Sequence, residues 1–337
     1  MKLDTGLAFS SLRDVPRLAR EAEEIGFDGL WSAETSHDPY LPLALAAEHT
    51  SRIELGTSIA VAFPRSPLVH AQIAWDLQAL SRGRFILGLG TQVKGHNERR
   101  FGIRWEAPGP RMRELILCIR AIWDCWQNGT KPSFEGRFYR FTLMTPFFHP
   151  GPIEHPAIPI YLAGVNPYMC RLAGELCEGF HVHPFHSIRY LEEIVLPEIR
   201  RGAAAAGRDP QACCLSTTAF VVAGDDESER ERSRQLVRQQ LAFYASTRTY
   251  RAVLAVHGWE DVAYRLNEKA ARGDWAGMAE EITDEMLDVY AVTGTWDEIP
   301  SKVRDKYRGI LGRVGLYVPQ GVLSPERWKK ILAAFRG

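Results

Sequence analysis

A parallel α/β pattern is the feature that most limits what this chain can fold into. The apolar run Ile53-Glu-Leu-Gly-Thr-Ser-Ile-Ala60 is followed by Ser66-Pro67 and an amphipathic stretch to Leu80. A second apolar run follows, Arg84-Phe-Ile-Leu-Gly-Leu-Gly-Thr91. Strand, helix, strand, with small residues gathered at the strands' C-terminal ends, presents backbone to a flat ligand. The alternation continues almost from end to end. Strands are predicted over residues 3–9, 30–33, 53–60, 84–90, 158–163, 179–183, 214–223 and 313–318. Helices fall between them, the first over 15–26 with Asp14 as N-cap and Gly26 as stop. Eight such units are the count of a closed (β/α)8 TIM barrel; a doubly wound sheet is the competing arrangement.

The expected organisation is a single barrel domain over 1–337 with two interruptions. Phe134-Glu-Gly-Arg-Phe-Tyr-Arg-Phe141 alternates aromatic and polar residues around Gly136, so a lid-like insertion is placed near 130–155. Residues 245–290 lose the alternation and read as a helical insertion. Lys+Arg 41 balances Asp+Glu 41, which gives a nucleic-acid partner no electrostatic support. No apolar run approaches the roughly 20 residues that span a bilayer, so no membrane partner is expected. The N-terminus lacks the charged and apolar regions of a signal peptide. Six cysteines, none in a CxxC pair, read as buried thiols in a reducing, cytoplasmic setting.

In a barrel, chemistry belongs to the strands' C-terminal ends, the last of which is Val318-Pro319. Tyr161-Leu-Ala-Gly164-Val165-Asn166-Pro167 ends a strand in glycine where a helix begins, a site for a phosphate on free N–H groups; a tight βα turn also needs that glycine. Gly88-Leu-Gly90-Thr91 lacks the third glycine of a dinucleotide fingerprint, Val93 standing there, so it reads as close ligand approach rather than a Rossmann turn. Glu178-Gly-Phe-His181-Val-His183-Pro-Phe-His186 puts two histidines on one strand face. A metal-dependent barrel hydrolase would use that geometry, but strands seven and eight supply no third histidine or aspartate, so no metal ligands are assigned. After strand four, His96 and Asn97 could face a ring, with Arg99 and Arg100 as loop charges. Glu34, the carboxylate at a strand end, is a candidate proton handler, with an ion pair to a loop arginine as its alternative.

In this order, Ala22-Glu-Glu-Ile-Gly-Phe-Asp-Gly-Leu-Trp31, Ile53-Glu-Leu-Gly-Thr-Ser-Ile59, Ser81-Arg-Gly-Arg-Phe-Ile-Leu-Gly-Leu-Gly-Thr91, Phe101-Gly, Arg111-Met-Arg-Glu114, Phe134-Glu-Gly-Arg-Phe-Tyr139, Ile160-Tyr-Leu-Ala-Gly164 and Val292-Thr-Gly-Thr295 resemble the bacterial luciferase-like superfamily. The resemblance covers most of the chain and is strongest to the coenzyme F420-dependent oxidoreductases. It implies a (β/α)8 barrel with an insertion, and a cis peptide between Ser58 and Ile59 pressed against a deazaflavin ring. It further implies that Glu34 matches an aspartate near that ring, that Ser58, Ile59 and Val61 line one ring face, and that Asn97 matches a polar loop contact. Gly164 and Val165 would hold the phosphate end, with Asn166 beside them and Gly90 and Thr91 at the end of strand four. The sequence departs from the pattern at Thr35, where some members have a histidine that assists proton transfer; His37, His96 and His183 are the alternatives, so Glu34, His96 and His183 stand as catalytic candidates. Gln92 also replaces a common glycine.

The implied activity is hydride transfer between F420 and a small-molecule organic substrate, in a protein that is a homodimer as members commonly are. An FMN-dependent monooxygenase of the same fold is the alternative cofactor reading. A non-catalytic flavin binder is a further possibility, to which the Thr35 departure points. The lid segment around Phe134–Phe141 and the 245–290 insertion are expected to shape the substrate pocket, and Phe63, Trp105 and Tyr139 lead to the expectation of an apolar or ring-containing substrate.

Overall fold

A computed structural model describes residues 1–318 and 321–337; Pro319, expected at the end of the eighth strand, lies outside them. Eight parallel strands close into a barrel. They are β1 (Lys2–Gly6), β2 (Gly29–Ser32), β3 (Glu54–Thr57), β4 (Phe85–Gly90), β5 (Ile160–Gly164), β6 (Gly179–Val182), β7 (Cys214–Ala223) and β8 (Arg313–Tyr317). Each pairs with its neighbour in sequence, β7 pairs with both β6 and β8, and β8 returns to β1. Such strands are covered on both sides, which is why they read as nearly continuous apolar runs. All six residues of β4, for example, are buried.

Local chemistry explains most boundaries. Gly26 ends the helix Val15–Ile25 at φ 105, a left-handed position that an L side chain rarely adopts. Ser66 accepts a hydrogen bond from the Val69 N–H, so the third helix begins at Pro67 rather than at residue 68. The expected cap at Asp14 is not formed. A 3-10 turn, Leu12–Asp14, precedes the helix, and Ser11 accepts the Arg13 N–H instead. A further strand, Ala291–Gly294, pairs in parallel with the long β7 on the outside of the barrel; the sequence reading did not identify it as a strand.

The hairpin pairing Phe134–Glu135 with Arg140–Phe141 is bound down rather than free-standing. Glu114 accepts the N–H groups of Arg137 and Phe138, and Arg111 Nε donates to the Tyr139 hydroxyl at 3.0 Å. A Cβ at Gly136 would lie 1.9 Å from the Glu114 carboxylate, so a side chain there would displace this clamp. Residues between Arg251 and Tyr290 form four helices, Arg251–Ala255, Glu260–Arg272, Trp275–Glu280 and Asp284–Tyr290.

The start of β8 is held by a buried polar cluster. Arg313, 2% exposed, makes a fork to Asp4 at 2.7 and 2.8 Å and also reaches Glu54. The Trp31 indole N–H donates to Asp4 at 2.8 Å, and the Arg313 guanidinium lies 5.1 Å from the Trp31 ring centroid. Burial pulls the Arg313 pKa down, but the Asp4 and Glu54 carboxylates more than reverse this and keep it charged. Removing one partner of a buried pair costs about 3–5 kcal/mol, because the other charge is left unpaired. Arg313→Leu should therefore lower the urea unfolding free energy by about that amount. Adding Asp4→Leu should recover most of the loss; a single variant as stable as the parent would show that the pair does not hold the barrel.

Candidate functional site

The mouth of the barrel is shaped by a bulge in the third strand. Gly56 pairs with Ile86, but Ala60 pairs with Leu89, so four residues on one strand match three on the other. One residue is extra, and the Ser58–Ile59 peptide within the bulge is cis. The Thr57 hydroxyl closes the interrupted ladder by accepting the Gly88 N–H at 2.9 Å and donating to the Gly88 carbonyl at 2.6 Å. The strands are so close here that a Cβ on Gly88 would sit 1.7 Å from the Thr57 carbonyl oxygen. Gly90 has a similar reason: its Cβ would meet the Ile59 side chain at 2.8 Å.

The far side of the bulge is clamped by Glu34. Its carboxylate accepts the Val61 N–H at 2.7 Å and forms a fork with Arg65 at 2.9 and 3.0 Å. Arg65 also binds Asp38 at 2.8 Å. Beside it, Tyr40 and His70 share a 2.7 Å hydrogen bond, and His70 Nε2 lies 2.8 Å from the Ala62 carbonyl. Both Glu34 oxygens are therefore engaged, the arrangement of an ion pair rather than a free proton handler.

Two hollows open beside the bulge. The outer cleft, about 970 Å³, runs between the ends of β3, β4, β5 and β6 and the start of the helix Pro167–Leu176. The inner chamber, about 370 Å³, descends among the ends of β1, β2, β6, β7 and β8. Ser58, His181 and His183 line both. Small-molecule and cofactor sites typically span about 300–1,000 Å³. Asn166 caps the helix by accepting the Met169 N–H at 3.0 Å, and a Cβ at Gly164 would lie 2.4 Å from the Met169 Cβ. Glycine backbone and a helix start thus form one wall of the cleft.

The structure brings Ser58, Ile59, Gly90, Thr91, Gly164, Val165, Asn166 and His183 to this cleft. It does not bring the others. Val61 is fully buried with its N–H on Glu34. Asn97 is buried too, donating to the Thr91 and Val93 carbonyls and so fixing the loop after β4. His96 is exposed on the short helix Lys94–Arg99, away from the cleft, and His37 is exposed and stacked on Phe9. Arg100 binds the Thr35 carbonyl and joins two loops. Phe63 and Tyr139 sandwich Arg111 instead of lining the cleft, whereas Trp105 does line it. Sequence reasoning missed Lys94, Thr249 and Tyr250, which also line it. Gln92 lies in the left-handed region at φ 57, which accounts for the glycine otherwise common there.

The two strand-six histidines do not converge. His181 Nδ1 pairs with the Ser216 hydroxyl at 2.7 Å, and its buried Nε2 has no partner in the chamber wall. His183 Nδ1 accepts the Phe185 N–H at 3.1 Å. Among the described residues no group of three or more His, Cys, Asp or Glu is placed to hold a metal.

Fold and site together define a (β/α)8 barrel with a cofactor-sized cleft at the C-terminal end of its strands. The chain belongs to the luciferase-like monooxygenase family, whose model matches residues 2–313. It is 46% identical over 314 residues to an uncharacterized protein of Mycobacterium tuberculosis, covering 93% of this chain and 92% of that one. It is 32% identical over 302 residues, 84% of each, to a putative coenzyme F420-dependent oxidoreductase of the same species. The coenzyme F420-dependent tetrahydromethanopterin reductase from Methanopyrus kandleri shares the fold, with a TM-score of 0.78 and 22% identity over 98% of this chain and 96% of that chain. Among the described residues no helix is long and apolar enough to cross a membrane.

Two predictions follow from this geometry. If Glu34 positions the bulge, Arg65→Met should weaken cofactor binding about as much as Glu34→Gln, measured by titration. A large loss confined to the Glu34 variant would instead make the carboxylate chemical. Secondly, burial depresses the pKa of His70 and His186 to about 4 and of His181 and His183 to about 3. The unfolded chain takes up these protons near pH 6.5 and the folded chain does not, so stability is lost as pH falls from about 6.5 towards 4. Thermal melts across that window should show a steep acid-side decline, which His70→Asn should make shallower.

Proposed function

We propose that this protein is an F420-dependent oxidoreductase that exchanges a hydride between the deazaflavin and an organic substrate. The observation that carries the reading is the pair of adjoining hollows at the strand ends, one walled by a glycine-rich helix start and both lined by Ser58, His181 and His183. The 32% identical relative named for F420 supports it. When bound, the deazaflavin supplies a ring carbon that gives or takes the hydride.

The chain's own residues would do the rest. The helix start at Pro167, with Gly164 and Val165, would hold the phosphate end on backbone dipoles. The unpartnered His181 Nε2, an atom that costs free energy while buried and unpaired, would meet a polar ring edge. The bulge at Ser58 and Ile59, held by Thr57 and by the Glu34–Arg65 clamp, would form the ring's supporting face. Trp105 and Tyr250 would exclude water from the opposite side.

The discriminating measurement is a spectral titration of the purified protein with each cofactor. F420 should bind saturably, FMN should bind at least tenfold more weakly, and Gly164→Ala should reduce F420 binding because its Cβ collides with Met169. Tight FMN binding with no response to F420 would replace this reading with a flavin monooxygenase.

A further inference from the structure

Beside the glycine-rich helix start, where Gly164 pairs with Val182 on the neighbouring strand, the cleft wall is built from side chains. His183, at the end of β6, stacks on Tyr250 with ring centroids 4.4 Å apart and planes at 28°. Tyr244 meets the same imidazole edge-on at 4.6 Å, and Phe185 meets Tyr250 edge-on at 6.3 Å. The rings are thus wedged before any ligand arrives, which reduces the ordering cost of binding against them. His183 and Tyr250 both line the cleft.

The imidazole has a defined polarity. Its Nδ1 accepts the Phe185 N–H, so in the neutral ring the proton is on Nε2, which has no hydrogen-bond partner among the described residues. Burial holds the pKa of His183 at about 3, and that of the Tyr250 hydroxyl is raised to about 12. Neither group carries charge in the neutral range. The surrounding wall is also uncharged: among the described lining residues of the outer cleft there is no carboxylate, and Lys94 at the rim lies 3.9 Å from Glu98.

The geometry points to the His183–Tyr250 pair as the substrate platform, taking an uncharged, ring-containing molecule with a carbonyl or hydroxyl oxygen that accepts the Nε2–H of His183. This deepens the proposed function and rests on it for the placement of cofactor and substrate side by side in one cleft. His183 then acts as a neutral hydrogen-bond donor to the substrate oxygen. Tyr250 supplies the face on which the ring lies, at a typical worth of several-fold in affinity for an aromatic pair.

Ligand-observed NMR with 2-acetylnaphthalene, 2-ethylnaphthalene and 2-naphthoate tests this, with F420 binding measured in parallel on each protein. The parent should bind the ketone saturably, prefer it to the ethyl compound and reject the carboxylate. Tyr250→Ala should weaken the ketone about five- to tenfold, and Tyr250→Phe should retain most of the affinity. His183→Phe keeps a ring but removes the donor, so it should abolish the preference for ketone over ethyl compound. Mere structural support would not produce that selective loss. Should Tyr250→Ala fail to fold, Tyr250→Leu is read in its place. The platform is overturned by no saturable ketone binding, by unchanged affinity in the Tyr250 variant, by a preference that survives His183→Phe, or by tighter binding of the carboxylate. F420 binding without ketone binding sinks the platform alone; ketone binding without F420 binding sinks the cofactor reading alone.

Discussion

The approach of β3 to β4 governs the rest of the site. A strand bulge normally leaves polar backbone unpaired, and here the Thr57 hydroxyl bonds both the N–H and the carbonyl of Gly88. That exchange works only without a side chain at Gly88, because the Thr57 carbonyl occupies the space where a Cβ would be. With the two strands held together, the chain beyond Thr57 has one course open to it. Ser58 and Ile59 turn into the barrel mouth, Ile59 covers Gly90, and Val61 rejoins the sheet with its N–H on Glu34. A single hydroxyl and one missing methyl group therefore set where the cleft begins.

The barrel was legible because its strands are buried on both faces and its helices carry their own punctuation. Gly26, Ser66, Asn166 and Ser324 each mark a helix end by a mechanism that acts within a few residues. Asp14 shows where such reasoning stops. It has the right chemistry for a cap, but Ser11 three residues earlier starts a tighter turn that delivers Asp14 already helical. Ala291–Gly294 was not read as a strand because eight strands already close a barrel; the full length of β7 was read, but not that its last four residues would pair with a further strand.

The site was legible where backbone makes it and not where side chains do. Gly90, Gly164, Val165, Ser58 and Ile59 are placed by strand ends, and a strand end is visible in a hydrophobic run. Glu34, His96 and Asn97 are close to such ends, yet their side chains turn to Arg65, to solvent and to the Thr91 carbonyl. Position along the chain does not fix that direction. Tyr250 lies in the 245–290 segment expected to shape the pocket, but that stretch has no periodic pattern, so nothing singled out the residue itself.

The two ends of the barrel solve opposite problems with buried polar groups. Around the start of β8, Arg313, Asp4, Trp31 and Glu54 satisfy one another, so Asp4 and Trp31 line the inner chamber with their polar groups already paired. At the mouth, the nitrogens His181 Nε2 and His183 Nε2 are left over after the protein's own bonds are counted. Burial keeps both rings neutral, so the mouth offers hydrogen bonds without net charge. The backbone part of the cleft lining follows β5, whereas its ring side chains come from β6 and from the segment around Tyr250. The proposed substrate platform thus rests partly on a segment that is not one of the eight barrel strands, so it can change while the strands stay as they are.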